Sequence, residues 1–335
     1  MINYEKFKNK KIMIACPLGR GTTKNGRDIA NALTTHGLNV TLFDMDQRKI
    51  QHKLTPKPLR NHNYDRNRLD FINTEIVKSI TLNKIDILFI IKPVGIYKET
   101  LQLINSMGVL TSAYWIDDPL DFSRSIINSK YFSICFTNDK HSLSEYKKNN
   151  VNICHLPSAV DTDCFYHLNT NKKYDISFIG TYAKIREQKL QQLKNDIFAF
   201  GPGWTKKTTG NKNIIPKAPV FGDKTALVYN QSIININIHM WHNIGSAMNL
   251  RLFEVPACKA FLLTDWVDEI DDYFTPGVNI EVWHDLDELN DKVSFYLKNN
   301  SAREKITNAS YHHVLKNHTY INRCDIILNE IGRFM

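Results

Sequence analysis

The sequence contains no long hydrophobic run. Its apolar stretches are all far shorter than the roughly 20 residues that a membrane-spanning helix needs. The first of them, residues 12–16 (IMIAC), is typical of a strand rather than of a signal peptide. Cysteine is sparse too, with six scattered residues, no CxxC pair and no paired histidine spacing. A disulfide scaffold and a structural zinc site are thereby disfavoured, and we expect a reduced, cytoplasmic protein.

Other common signatures are also missing. The chain has no internal repeat, low-complexity tract or coiled-coil heptad pattern, and no Ser/His/Asp or Cys/His nucleophile arrangement is visible. Its 335 residues exceed the size at which single cores stop growing, which predicts two domains. The net charge is +9, and an AT-rich genome explains it as well as an anionic partner such as nucleic acid, a membrane surface or a phosphorylated substrate does. Because Lys and Arg are spread along the chain, the net charge alone does not decide between these two explanations.

Short apolar runs alternate with helical spacing over residues 1–157. Continuous runs of this kind are typical of parallel strands covered on both faces, and they predict a doubly wound α/β domain. We expect strands at 11–16, 38–44, 85–91, 109–116, 132–137 and 153–156, with helices between most of them. Residues 45–67 are basic and contain two prolines, and we expect an irregular segment there.

The second half repeats the pattern. Residues 158–173 lack periodicity and are interpreted as a linker, and a second α/β domain is predicted for 174–319. A final helix is expected within 320–335. We therefore predict two Rossmann-like domains facing a cleft.

The stretch 235–265 is the most informative part of the chain. It predicts a buried strand, a polar loop, a short helix and a second buried strand, which together form a βαβ unit. Ligands of such sheets bind at the carboxyl ends of the strands. Arg251 and Glu254 lie on the helix, and an Arg and a Glu there can bind the phosphate and sugar hydroxyls of a nucleotide. An internal ion pair between the two is the alternative.

Two adjacent carboxylates are candidates for catalysis. Asp117 and Asp118 follow a buried strand, where one of them can act as a general base for an acceptor hydroxyl. The alternative for Asp118 is a helix N-cap, because Pro119 suits the first helical position. We therefore favour Asp117 as the base.

Further polar candidates follow other predicted strands. Arg186, after Gly180, can hold a phosphate, and His239 can donate to one; a solvated surface arginine and a loop histidine are the alternatives. The loop containing Gly19, Arg20 and Gly21 lacks the spacing of a dinucleotide fingerprint, and we assign it to the acceptor cleft. The two DxD patterns, 44–46 and 161–163, are weak, and no metal is expected.

Four short motifs resemble those of one glycosyltransferase family. They are Phe178-Ile179-Gly180 with Arg186; Gly201-Pro202-Gly203-Trp204; Asn237-Ile238-His239 with Asn249-Leu250-Arg251-Leu252-Phe253-Glu254; and His318-Thr319-Tyr320 with Arg323. In this combination the C-terminal half resembles the group-1 glycosyltransferase superfamily, specifically its CgeB-like (spore maturation protein) branch. One departure is Lys259, which stands where that branch usually has Gly.

The resemblance implies a GT-B fold. The N-terminal domain, 1–157 with 320–335, would hold the acceptor, and 174–319 would bind a nucleotide-sugar, expected to be a UDP-sugar. Glu254 would bind the ribose, and Arg186 and the backbone near Ser246 and Asn249 would contact the diphosphate. Gly180 would belong to the same donor site. No metal or cofactor is implied. Ser246 occupies the position of the first of two glutamates in retaining members, so the stereochemical outcome stays open.

Three functional alternatives remain at this point. The first is a glycosyltransferase acting on a saccharide, lipid-linked or protein hydroxyl. The second is a DNA-modifying enzyme acting on a hydroxylated pyrimidine base, which the charge of +9 and the basic segment 48–68 favour. The third is a non-catalytic protein that binds a nucleotide-sugar.

Overall fold

A computed structural model describes residues 4–18, 25–46, 62–120, 122–208, 212–240 and 248–335. The chain divides into two compact units, unit 1 (Met1–Pro157 with Tyr320–Met335) and unit 2 (Ser158–Thr319). The interpreted linker, 158–173, belongs to unit 2. Four of the candidate site residues, Gly19, Arg20, Gly21 and Ser246, lie outside the described residues, as does most of the basic segment 48–68.

Unit 1 contains a parallel six-stranded sheet in the order β2-β1-β3-β4-β5-β6. Its strands are β1 (Lys11–Cys16), β2 (Asn39–Asp44), β3 (Ile87–Ile91), β4 (Leu110–Trp115), β5 (Ile134–Thr137) and β6 (Ile153–His155). The helices between them are α1 (Asn25–Thr35), α2 (His62–Asn83), α3 (Lys98–Ser106), α4 (Phe122–Ser129) and α5 (Leu143–Lys148). Strand β3 is buried at every position, as its continuous apolar run predicts.

Unit 2 contains a second parallel six-stranded sheet, in the order β12-β11-β10-β7-β8-β9. Its strands are β7 (Tyr174–Ile179), β8 (Ile197–Phe200), β9 (Ile214–Lys217), β10 (Ser232–Asn237), β11 (Leu262–Asp265) and β12 (Glu281–Trp283). The helices are α6 (Lys184–Leu190), α7 (Trp204–Lys207), α8 (Asp223–Gln231), α9 (Arg251–Ala257), α10 (Ile270–Tyr273), α11 (Leu286–Lys298) and α12 (Asn300–Asn317). Two apolar clusters surround the sheet, one containing Phe253 and the other containing Trp204.

The last helix, α13 (Tyr320–Ile331), packs on α1 of unit 1. The Tyr320 hydroxyl donates to Asn25 Oδ1 at 3.0 Å, and Arg323 Nε donates to the Pro157 carbonyl at 2.9 Å. Both donors are buried. These residues belong to the closing motif noted in the sequence, and the contacts show that the motif anchors the C-terminal helix in unit 1.

The predicted α/β class is confirmed, and two local expectations within unit 1 differ from the structure. Helix α2 begins at His62, inside the segment expected to be irregular. The N-cap expected at Asp118 is wrong, because α4 begins only at Phe122. None of the helices in the described part of the chain is both long and apolar enough to cross a membrane.

Candidate active site

The sheet of unit 2 reverses its strand order between β7 and β10. The two strands are parallel neighbours, so their carboxyl ends open at one edge, where α/β sheets bind ligands. Gly180 directly follows β7, and its carbonyl accepts a hydrogen bond from Trp204 Nε1 at 2.7 Å. A Cβ on Gly201 would lie 2.2 Å from the same carbonyl, and Gly201 has a φ of +136°. The Gly-Pro-Gly-Trp motif therefore packs directly against the exit of β7.

Arg186 crosses this edge from α6. Its Nε and Nη2 donate to the Ile238 carbonyl at 3.2 and 3.1 Å, and Nη1 donates to the Thr181 carbonyl at 2.9 Å. These bonds use three of the five N–H groups of the guanidinium. The side chain is 5% exposed. Burial, and after it the charge of Arg251, lower the pKa of Arg186 to about 9.

Arg251 reaches the same edge from the start of α9. Its Nε donates to the Ile179 carbonyl, and its Nη1 donates to Asn237 Oδ1 at 3.2 Å. Asn237 lies at the end of β10 and is fully buried, and Asn249 Nδ2 donates to the same oxygen at 3.1 Å. A Cβ on Gly180 would lie 2.8 Å from Arg251 Nη2, which explains the glycine there. The half-buried Arg251 is thus fixed to both strands.

Both guanidinium groups lie over the ring of Phe178. The distances from their Cζ atoms to the ring centroid are 5.4 Å for Arg186 and 6.0 Å for Arg251. The negative face of an aromatic ring attracts cations, but one ring compensates little of the repulsion between two of them. The edge between β7 and β10 therefore carries two positive charges, which the carboxylate of Asp265 opposes in part and which an anion such as a diphosphate would neutralise.

Glu254 lies one turn after Arg251 on α9. Its Oε2 accepts a hydrogen bond from the Tyr229 hydroxyl at 3.2 Å. Burial and the charge of Glu254 raise the pKa of Tyr229 well above its ordinary value. Tyr229 therefore stays a hydrogen-bond donor and helps to orient the half-buried carboxylate.

His239 ends the β10 segment and is paired with Asp265, the last residue of β11. The ring Nδ1 of His239 lies 2.7 Å from Asp265 Oδ1, and the backbone N–H of His239 also donates to this carboxylate. Because an ionised carboxylate only accepts, Nδ1 carries the proton. Lys189 Nζ lies 3.7 Å from Asp265 Oδ2, so the buried carboxylate is near two potential cations.

In unit 1, Asp117 follows β4 and forms an ion pair with Lys92, which follows β3. Both side chains are half-buried. Lys92 has a φ of +54°, a left-handed conformation that is uncommon for a residue other than glycine. The two residues line a small cavity of about 50 Å³ that also includes Cys16 and Asn25. Asp117 thus lies at the carboxyl edge of the sheet, as its position after a strand predicts.

Asp118 has a different environment. It is 3% exposed and accepts hydrogen bonds from the hydroxyls of Ser125, Thr137 and Tyr146 at 3.0, 2.8 and 2.7 Å. Burial raises the pKa of Asp118, although these hydrogen bonds oppose the shift. Asp118 therefore connects β4, α4, β5 and α5 inside unit 1.

The predicted donor residues that the structure describes come together in unit 2. Gly180, Arg186, His239, Asn249 and Arg251 lie around the carboxyl ends of β7 and β10, and Glu254 lies one turn further along α9. The sequence analysis missed Tyr229 and Asp265 as partners of Glu254 and His239, and it missed Lys92 as the partner of Asp117. The sequence did indicate that Asn237 has a hydrogen-bond partner, since an amide inside an apolar strand needs one. Among the described residues, no group of three or more His, Cys, Asp or Glu side chains is arranged to hold a metal.

Comparisons with known proteins concern the fold and the C-terminal half of the chain. Residues 184–329 match a family model described as "Glycosyl transferase-like". A sucrose-phosphate synthase from Thermosynechococcus elongatus is similar in structure, with a TM-score of 0.68 and 10% identity over 97% of this chain and 99% of that one. The Anabaena protein HepE, in complex with UDP, has a TM-score of 0.63 and 10% identity over 96% and 100%.

A third similar structure is that of a DNA-modifying β-glucosyltransferase studied with and without its substrate UDP-glucose. Its TM-score is 0.60, with 14% identity over 96% of this chain and 99% of that one. No curated protein matches the chain in sequence. The structural similarities establish the GT-B fold. With the match of residues 184–329 to a glycosyl transferase-like family, they indicate a glycosyltransferase with the GT-B fold.

Proposed function

We propose that the protein transfers a sugar from a UDP-sugar to an acceptor hydroxyl, with the donor bound at the carboxyl ends of β7 and β10. The observation that carries this proposal is the pair of guanidinium groups of Arg186 and Arg251 at that edge. The diphosphate of the donor would neutralise both of them. The same contacts would stabilise the charge that develops on the departing UDP.

Glu254 binds the ribose hydroxyls in this proposal. A carboxylate accepts from two neighbouring hydroxyls, and Tyr229 holds one of its oxygens in place. The sequence resemblance assigns the same role to Glu254. HepE, which has been solved with UDP, supports uridine as the nucleoside. His239, fixed by Asp265, presents its ring beside the phosphate-binding groups.

Asp117 is the proposed general base. It accepts the proton of the acceptor hydroxyl while the oxygen forms a bond to the anomeric carbon of the sugar, and the bond from that carbon to the diphosphate breaks with its electron pair leaving on UDP. Lys92 keeps the Asp117 carboxylate oriented. In this scheme neither the proton transfer to Asp117 nor the departure of UDP requires a metal.

The acceptor defines a second candidate function. A saccharide, lipid-linked or protein hydroxyl is the general case, whereas the similar DNA-modifying enzyme favours a hydroxylated DNA base. The four motifs support assignment to the CgeB-like branch, and the cysteine pattern supports a cytoplasmic location.

The donor assignment is tested by calorimetric titration of UDP, UDP-glucose, ADP and GDP into the wild type, Glu254→Ala and Tyr229→Phe. We expect UDP to bind best, Glu254→Ala to weaken it by about 10- to 100-fold, and Tyr229→Phe to weaken it less. Glu99→Ala, an exposed substitution in unit 1, is the control. Unchanged UDP affinity in Glu254→Ala would refute the ribose role, and the absence of transfer despite UDP binding would favour the non-catalytic alternative.

A further inference from the structure

All of the protein's net charge belongs to unit 1. That unit contains 25 Lys and Arg residues against 16 Asp and Glu, a net charge of +9. Unit 2 contains 18 of each and is neutral. A genome-wide preference for lysine would act on both units alike. The asymmetry therefore indicates an anionic partner of unit 1 rather than a compositional bias.

Unit 1 also contains a cavity of about 170 Å³ beyond the carboxyl ends of β2 and β3. We refer to it as the β2–β3 cavity. An engineered cavity of about 150 Å³ in another protein holds one benzene molecule. The β2–β3 cavity is thus the size of a single six-membered ring.

The lining of this cavity distinguishes between kinds of ring. Its walls include Met45, Leu69, Ile72 and Val94, which are apolar. A sugar ring would lose hydrogen bonds from several hydroxyls against such walls, whereas the faces of a pyrimidine base are apolar and only its edges are polar. The charged side chains of the same lining are Arg68, Lys92 and Asp46, and Lys92 is also paired with Asp117 of the neighbouring cavity. Apolar walls beside the guanidinium of Arg68 suit a base attached to a phosphodiester backbone.

One wall of the cavity is held in place by Asn73, which is 5% exposed. Its Nδ2 donates to the carbonyls of Gly95 and Leu69 at 2.9 and 2.8 Å, and its Oδ1 accepts from the Tyr97 N–H at 2.9 Å. The turn that carries Val94 is thus fixed to helix α2. The cavity is therefore part of the packed fold of unit 1.

The β2–β3 cavity adjoins the proposed catalytic base. It shares Pro17 and Lys92 with the 50 Å³ cavity, which contains Asp117. The two cavities are therefore adjacent, and the Asp117 carboxylate lies in the lining of the one next to the β2–β3 cavity.

From these observations we propose that the acceptor is a nucleic acid, and that the β2–β3 cavity receives the single base whose hydroxyl is glycosylated. The inference rests on the proposed glycosyltransferase function and specifies its acceptor. A base in a duplex has to leave the stack to enter such a cavity, so single-stranded DNA should bind more tightly than the matching duplex.

Fluorescence anisotropy with a labelled single-stranded oligonucleotide of about 15 nucleotides tests the proposal, over about 50–200 mM salt. We expect Arg68→Gln to reduce the slope of log affinity against log salt by about one. Val94→Trp, which fills the cavity, should weaken binding about fivefold or more at fixed salt with little change in slope. Lys305→Gln, an exposed substitution in unit 2, is the matched control and should behave as the wild type.

The proposal is overturned if Val94→Trp binds the oligonucleotide like the wild type, or if Arg68→Gln has the slope of Lys305→Gln. Tighter binding to phosphatidylglycerol vesicles than to DNA, unaffected by Val94→Trp, also overturns it. UDP affinity, measured in the same variants, should stay unchanged. UDP binding without oligonucleotide binding contradicts the acceptor inference alone, whereas failure of the wild type to bind UDP contradicts the donor assignment.

Discussion

The positive charge of Arg251 contributes to lowering the pKa of Arg186, so the two arginines are electrostatically coupled at the edge of the unit 2 sheet. Burial is the larger cause. Each guanidinium is nevertheless fixed to main-chain carbonyls, Arg186 to those of Thr181 and Ile238 and Arg251 to that of Ile179. In the proposed function, these two fixed cations are a preorganised site for the donor diphosphate.

Replacing Arg251 should therefore affect ligand binding more than folding. We expect Arg251→Lys, which keeps the charge but loses the planar fork, to weaken UDP binding about tenfold, and Arg251→Gln to weaken it further.

Arg186→Ala should also lower the free energy of unfolding, because it leaves two main-chain carbonyls without this donor. Titration calorimetry and urea unfolding separate the two effects. Wild-type UDP affinity in Arg251→Gln would exclude the arginine from the donor site.

Asp117→Asn tests the general base. An amide cannot accept the proton, so kcat should fall by about 100-fold or more. Because Asp117 belongs to unit 1 and the donor residues belong to unit 2, the Kd for UDP should not change. Lys92→Gln should lower kcat less, since the carboxylate remains. Glu99→Gln serves as the control, and a wild-type kcat in Asp117→Asn would remove Asp117 from the mechanism.

Gly201→Ala should be much more destabilising than Gly277→Ala. Both glycines have positive φ, +136° and +74°, which costs an alanine about 1–2 kcal/mol. At Gly277 an added Cβ meets nothing within 4 Å, whereas at Gly201 it would lie 2.2 Å from the Gly180 carbonyl oxygen. We expect a loss of more than about 3 kcal/mol for Gly201→Ala, measured by chemical unfolding. Equal losses would show that the close approach is relieved without cost.

Asp118 should make unfolding depend on pH. Its pKa is raised in the folded protein, so the unfolded chain loses this proton first as pH increases. The folded state is therefore penalised from about pH 4 upwards, until the pH passes the folded pKa. Asp118→Asn lacks this titration. Thermal unfolding of both proteins between about pH 4 and 7.5 measures this effect. As pH rises, the unfolding temperature of the wild type should fall relative to that of Asp118→Asn. A constant difference between the two unfolding temperatures would contradict the raised pKa.

Strands and helices were predictable because continuous apolar runs such as that of β3 have few alternatives in an α/β protein. The residues that gather near the carboxyl ends of β7 and β10 were predictable from short motifs, and their donor-binding role stays a prediction. Their partners were not, since Tyr229 lies 25 residues from Glu254, and Lys92 lies 25 residues from Asp117. The role of Asp118 was mistaken because its hydroxyl partners come from three later elements, whereas the cap signal is local.

The return of helix α13 to unit 1 affects how the chain is made. A ribosome completes every residue of unit 2 before it supplies Tyr320, Arg323 and Cys324, which fill the surface of unit 1 against α1 and Pro157. During synthesis the apolar surface of unit 1 that α13 covers therefore stays exposed to solvent, although unit 2 is already complete and can fold. A nascent chain on a ribosome stalled before residue 320 should therefore contain a folded unit 2 and a unit 1 that chaperones still bind.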